Sequence, residues 1–181
     1  MLATAAATPE VDGVSDPPAS DDEAPLLVAE LAARGVTAEI RPWTAPDGWA
    51  AADLVVVRST WDYFERLGEF IEWAEHVAAV TRLTNPLEVL RWNAHKSYLI
   101  DLAERGVPTV PTTLVRRGAS GAEIQVPVGS EGVVKPAVTD VAIGAVRSEA
   151  SDPGLLGRLE QLAASVDVLV QPFLRSVIDR C

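Results

Sequence analysis

Two lysines stand where a cation can do chemistry. Lys96 closes the phrase Arg91-Trp-Asn-Ala-His-Lys, and Lys135 sits in Val133-Val-Lys-Pro. A lysine on a β-branched strand is a point charge on a stiff element, suited to neutralising phosphate oxygens. Burial among valines strengthens its pull on an anion. Taken singly, each also has a plain reading: Lys135 as a strand-end surface residue, Lys96 as a solvated helix position. A third phrase, Val168-Leu-Val-Gln-Pro-Phe-Leu174, carries Gln171, whose amide can both donate and accept hydrogen bonds, and Pro172, which removes an N–H and fixes the local turn. Arg58-Ser-Thr-Trp-Asp62 follows an apolar strand, and loops at the carboxyl ends of parallel strands are where α/β folds bind ligands. Arg58 is suited to clamping a carboxylate. Asp62 is suited to receiving an amine, or to capping the helix that follows.

Other chemistries find no footing. No Cys/His cluster has zinc spacing, and no Ser-His-Asp set is suggested by His76 or His95. Neither standard phosphate-loop fingerprint is present. The formal net charge is -11 and the pI about 4.6. That argues against nucleic acid and against anionic membrane as partners, so an anionic ligand must be held by a few local cations. No apolar run reaches the ~20 residues that span a bilayer. The apolar start has no Lys or Arg ahead of it, unlike a signal peptide. One cysteine, Cys181, rules out an intrachain disulfide and suits a reducing cytoplasm.

The elements that must position these residues read as α/β. A short strand over 2–7 runs into a loop over 9–23. Asp22 can cap a helix over 23–34, with Gly35 as its stop. Strands over 36–41 and 53–58 follow, the second apolar throughout as a buried parallel strand is. Spacing predicts a helix over 64–80, a short strand over 81–85 and a brief helical turn at Asn85-Pro86. Asn93 is placed to cap a helix over 94–105, stopped by Gly106. Two prolines in 107–111 bar a central strand and mark a subdomain boundary. Beyond it lie an edge strand (112–116), a Gly/Ser-rich loop (117–122), the Lys135 strand and a strand over 142–147. A helix capped by Asp152-Pro153, with Leu155, Leu156, Leu159 and Leu162 on its face, leads to a last strand over 166–171.

Several phrases together resemble the ATP-grasp superfamily, in the group that includes the cyclo-ligase of cycloserine biosynthesis, with bacterial glutathione synthetase more distant. They are Val55–Tyr63, Asn85-Pro86, Arg91–Lys96, Gly106–Thr112, Val133–Ala137 and Val168–Leu174, in the family's order. The resemblance implies a Rossmann-like domain over 1–106 and a partial ATP-grasp α+β subdomain over 107–181. It implies that Lys96 and Lys135 are the nucleotide lysines. It makes Gln171, Pro172, Phe173 and Leu174 the hinge whose backbone pairs with adenine, and puts Gly144 in the loop covering the phosphates. That loop departs from the family: Gly144 is its one glycine, and Asp140 adds a negative charge. Arg91 and Trp92 fall to the site wall or to an interdomain core.

The implied activity is ATP-dependent joining of a small-molecule carboxylate to an amine through an acylphosphate, with ATP as cofactor and Mg²⁺ bridging its phosphates. Magnesium takes hard oxygen ligands, which the family supplies after the hinge. Here only Arg175-Ser-Val-Ile-Asp-Arg-Cys181 follows, and no metal ligand set or catalytic residue is read. The expectation is a C-terminally shortened chain, a fragment or a frame change near Val177, that binds ATP weakly without turnover. Its last strand would then be an exposed edge favouring self-association. The alternatives are a noncatalytic nucleotide- or partner-binding module of the same fold, and an unrelated Rossmann-like binding domain at 2–84. The absent glycine fingerprint speaks against dinucleotides for the latter.

Overall fold

A computed structural model describes residues 1–5, 23–120, 131–139, 144–149, 152 and 154–174. Of the loop expected over 9–23 all but residue 23, with Asp22 in it, and residues 121–130, Asp140, Pro153 and the tail 175–181 lie outside the described residues. The chain forms two compact units, Met1–Trp92 and Asn93–Cys181. The division falls before the boundary expected at 106/107. The reason is local: the Lys96 N–H donates to the Ala137 carbonyl (2.8 Å), which ties the segment after Trp92 to the second unit.

In the first unit, strands β1 (Leu2–Thr4), β2 (Ile40–Pro42), β3 (Leu54–Ser59) and β4 (Arg82–Thr84) form a parallel sheet in the order β2-β1-β3-β4. Parallel neighbours need crossovers. They are α1 (Glu23–Ala33) between β1 and β2, and α2 (Leu67–Val80) between β3 and β4. β2 is shorter than the expected strand 36–41 because its partner β1 offers only three residues for pairing, Leu2, Ala3 and Thr4. The core is aromatic: Trp43 and Trp49 are buried against Phe70 and Trp73. Trp43 meets Phe70 edge-on with ring centroids 5.5 Å apart, and Trp49 meets Trp73 edge-on at 5.3 Å, the geometry aromatic quadrupoles favour.

Helix α3 (Leu87–Asn93) is longer than the turn expected at Asn85-Pro86. Asn93 ends α3 rather than capping the next helix, and α4 (Tyr98–Glu104) begins only after a turn over 94–97. Tertiary bonds outcompete helical ones there: Ala94 is buried, and the Lys96 N–H is committed to Ala137. Gly106 (φ +80°) ends α4 as expected, its N–H reaching Ala103 and that of Val107 reaching Leu102.

In the second unit, β5 (Thr113–Val115), β6 (Glu131–Pro136), β7 (Val146–Glu149) and β8 (Val168–Pro172) form an antiparallel sheet in the order β5-β8-β6-β7. β5 is an edge, as its flanking prolines require. β8 is not. It pairs with β5 on one side and β6 on the other, so the expected exposed final strand is corrected, and with it the motive for self-association. Helix α5 (Leu155–Ala163) covers one sheet face, where Leu155, Leu159 and Ala163 pack on Val115, Val134, Val168 and Val170. Leu156, expected on that packed face, is exposed. Among the described residues no helix is long and apolar enough to cross a membrane.

Candidate functional site

Strand alternation decides what the second sheet presents. Val134, Val168 and Val170 point at α5, so their neighbours Val133, Lys135, Leu169 and Gln171 take the opposite face. The register agrees, since Lys135 lies beside Leu169, and Val133 lies between Gln171 and Arg147. One face thus carries Lys135, Gln171 and Arg147. Burial alone lowers the Lys135 pKa from its ordinary value. The cause is the loss of water around the ammonium.

The Lys96 phrase meets the segment beyond Lys135. Besides the Lys96 N–H bond to Ala137, the Lys96 ammonium donates to the Thr139 carbonyl. Ala137 and Thr139 are both buried, so these carbonyls sit on a fixed backbone. Gly144 (φ +72°) closes on the end of β6: a Cβ there would lie 3.1 Å from the Pro136 ring. Asp140, in the same loop, lies outside the described residues.

The phrase 171–174 is held from both sides. The Gln171 amide donates to the Thr112 hydroxyl (2.8 Å). Pro172 lies opposite Gly132, and the Phe173 N–H donates to the Glu131 carbonyl (3.0 Å). Leu174 is exposed. The Arg147 guanidinium lies 3.7 Å from the Phe173 ring centroid and donates to Glu131 (2.8 Å). Arg147 carries no signal in the sequence beyond its place in the strand expected over 142–147, which forms instead over Val146–Glu149.

Arg58 and Asp62 belong to the first unit. Arg58 Nη2 pairs with Glu23 at 2.6 Å. Asp62 accepts the Trp43 indole N–H (2.7 Å) and pairs with Arg66 (3.3 Å), while Arg66 lies 4.8 Å over the Trp43 ring. Asp62 therefore supports the aromatic core. It does not cap α2, whose start at Leu67 follows a 3₁₀ turn over Trp61–Arg66 and has no side-chain cap. A separate open pocket of about 370 Å³ in this unit is lined by Trp43, Trp49, Trp73, Arg66, Glu72 and His76, among others. Arg91 pairs with Glu75 (2.5 Å) within the same unit.

Known proteins resemble this chain in sequence and fold. A family model described as the N-terminal domain of D-cycloserine synthetase DcsG matches residues 1–85. The cycloserine biosynthesis protein DcsG of Streptomyces lavendulae is 36% identical over 177 residues, 92% of this chain and 58% of that protein. The crystal structure of D-cycloserine synthetase DcsG matches with TM-score 0.78 and 34% identity over 99% of this chain and 60% of that one. The ATP-grasp ligase PsnB, solved with a phosphomimetic variant of its minimal precursor, Mg and ADP, shares the fold at TM-score 0.52 and 16% identity, over 96% of this chain and 64% of that one. The chain has the fold of the ATP-grasp ligases. Among them, it resembles the cycloserine-biosynthesis group, and it spans 58% of the length of its curated relative.

Proposed function

We propose that the second unit forms the cation and adenine side of an ATP site. Lys96 and Lys135 neutralise phosphate oxygens, the 171–174 segment borders the base, and the Gly144 loop covers the phosphates. The observation that carries this reading is the Lys96 N–H bond to the carbonyl of Ala137, two residues beyond Lys135. It joins two phrases far apart in sequence at one backbone. Partial desolvation of Lys135 adds support, since a cation short of water gains more from an anion.

For the whole protein we infer ATP-dependent ligation of a small-molecule carboxylate to an amine through an acylphosphate, in line with the ligases it resembles. Phosphoryl transfer spreads charge over the transferred oxygens, and fixed cations offset it. When bound, Mg²⁺ would supply further neutralisation of phosphate charge in such chemistry. Among the described residues no three His, Cys, Asp or Glu side chains gather to hold a metal ion. The role assigned to the described residues is therefore binding and charge neutralisation. The second reading is a noncatalytic nucleotide- or partner-binding module of the same fold.

Isothermal titration with ATP tests the site. Lys96→Ala and Lys135→Ala should each weaken binding about tenfold to hundredfold, the scale of ~1.5–3 kcal/mol for hydrogen bonds to charged groups. Unchanged affinity in both variants contradicts the assignment. Binding without substrate-dependent ADP release marks the module, and ADP release marks the ligase.

A further inference from the structure

Asp167, just ahead of β8, reaches three separate segments. Its Oδ1 accepts the Arg117 N–H (2.7 Å), and its Oδ2 accepts from the Arg116 guanidinium (2.8 Å). The same Oδ2 lies 3.4 Å from His95 Nε2. On the far side of the imidazole, Nδ1 meets the Ser97 hydroxyl at 2.8 Å and the Ser97 N–H at 3.3 Å. An Nδ1 that accepts the Ser97 N–H leaves the ring proton on Nε2, facing Asp167. The main chain of Asp167 works in parallel: its carbonyl accepts from the Ala137 N–H (2.8 Å), and the Ala137 carbonyl accepts from the Lys96 N–H (2.8 Å). Asp167 is about one-fifth exposed and His95 about one-quarter. Burial raises the Asp167 pKa, but the Arg117 amide and Arg116 outweigh it, and the net shift is downward. The carboxylate is therefore an anion.

We propose that Asp167 is a positioning residue for the nucleotide lysines. Through His95 its carboxylate fixes the 94–97 turn that carries Lys96, and through its carbonyl it anchors the strand end beyond Lys135. This inference rests on the proposed ATP site and names the residue that sets its geometry. A cation held in place before binding loses less freedom when the phosphate arrives. Loosening the turn should therefore weaken phosphate recognition and leave base recognition intact.

The test compares ATP with adenosine by titration, alongside thermal midpoints. Asp167→Asn keeps the size and the backbone bonds but removes the charge facing His95. The expected result is about tenfold weaker ATP binding, unchanged adenosine binding, and no further loss when His95→Asn is added, as for two members of one link. Equal weakening of ATP and adenosine overturns the proposal in favour of a general structural role. So does unchanged ATP affinity in Asp167→Asn where Lys96→Ala weakens ATP. Unchanged ATP affinity in Lys96→Ala instead overturns the underlying site. If Asp167→Asn fails to fold, His95→Asn alone carries the comparison, because Asp167 then keeps Arg116 and Arg117.

Discussion

At Lys135, folding and binding make opposite demands. Burial lowers its pKa, so between that lowered value and the ordinary 10.5 the unfolded chain holds more protons than the folded one. Stability therefore rises with pH through that window, and at neutral pH the full desolvation penalty is present. A Lys135→Met chain should be slightly more stable at pH 7, by up to about 0.5 kcal/mol for a partly exposed group, while losing ATP affinity. Urea denaturation at pH 7 and pH 10 checks this. A variant less stable than the parent at pH 7 contradicts it. The lysines were legible in sequence because their signal is local: a cation on a β-branched run or at the end of a distinctive phrase. Asp167 and Arg147 were not. Asp167 has significance through Arg116, Arg117, His95 and Ala137, and Arg147 through Phe173 and Glu131.

At the scale of elements, the helices were the more legible. Apolar spacing located α2 and α5, and Gly35 and Gly106 marked real helix ends at φ +76° and +80°. Pairing was harder to read. β8 comes late in the chain but inserts between β5 and β6, and nothing local to Val166–Gln171 carries that information. The turn over 94–97 likewise follows from a distant partner, Ala137, which accepts the Lys96 N–H. The joint between β7 and α5 rests on Asp152, which accepts from the Ser148 hydroxyl (2.7 Å), the Gly154 N–H (2.8 Å) and Arg158. Those bonds, led by Ser148, lower its pKa from 3.8 to about 2. The sign follows: a depressed carboxyl contributes stability that is present above pH 3.8 and lost as pH falls toward 2. Asp152→Asn should lower the thermal midpoint at pH 6 and narrow its difference from the parent at pH 2.5. A constant difference across that range contradicts the assignment.

The whole molecule sets the setting in which these groups act. A chain of formal charge -11 repels ATP at long range, so any affinity must come from cations within a few ångströms, where screening by salt is weak. In the second unit, Lys96 is bonded to the backbone at Ala137 and Thr139, just beyond Lys135. The first unit contributes a tryptophan-rich core and the open pocket beside it, with Asp62 bonded to Trp43 and Arg66. We propose that ATP binds along the sheet face that carries Lys135 and Gln171, beside the Lys96 segment tied to Ala137 and Thr139. Amide hydrogen exchange with and without ATP locates binding directly. The prediction is slowed exchange at residues 95–97, 137–139 and 171–174, with little change over Trp43–Trp49. Protection confined to the Trp43 pocket, or none at the lysine segments at saturating ATP, would contradict it.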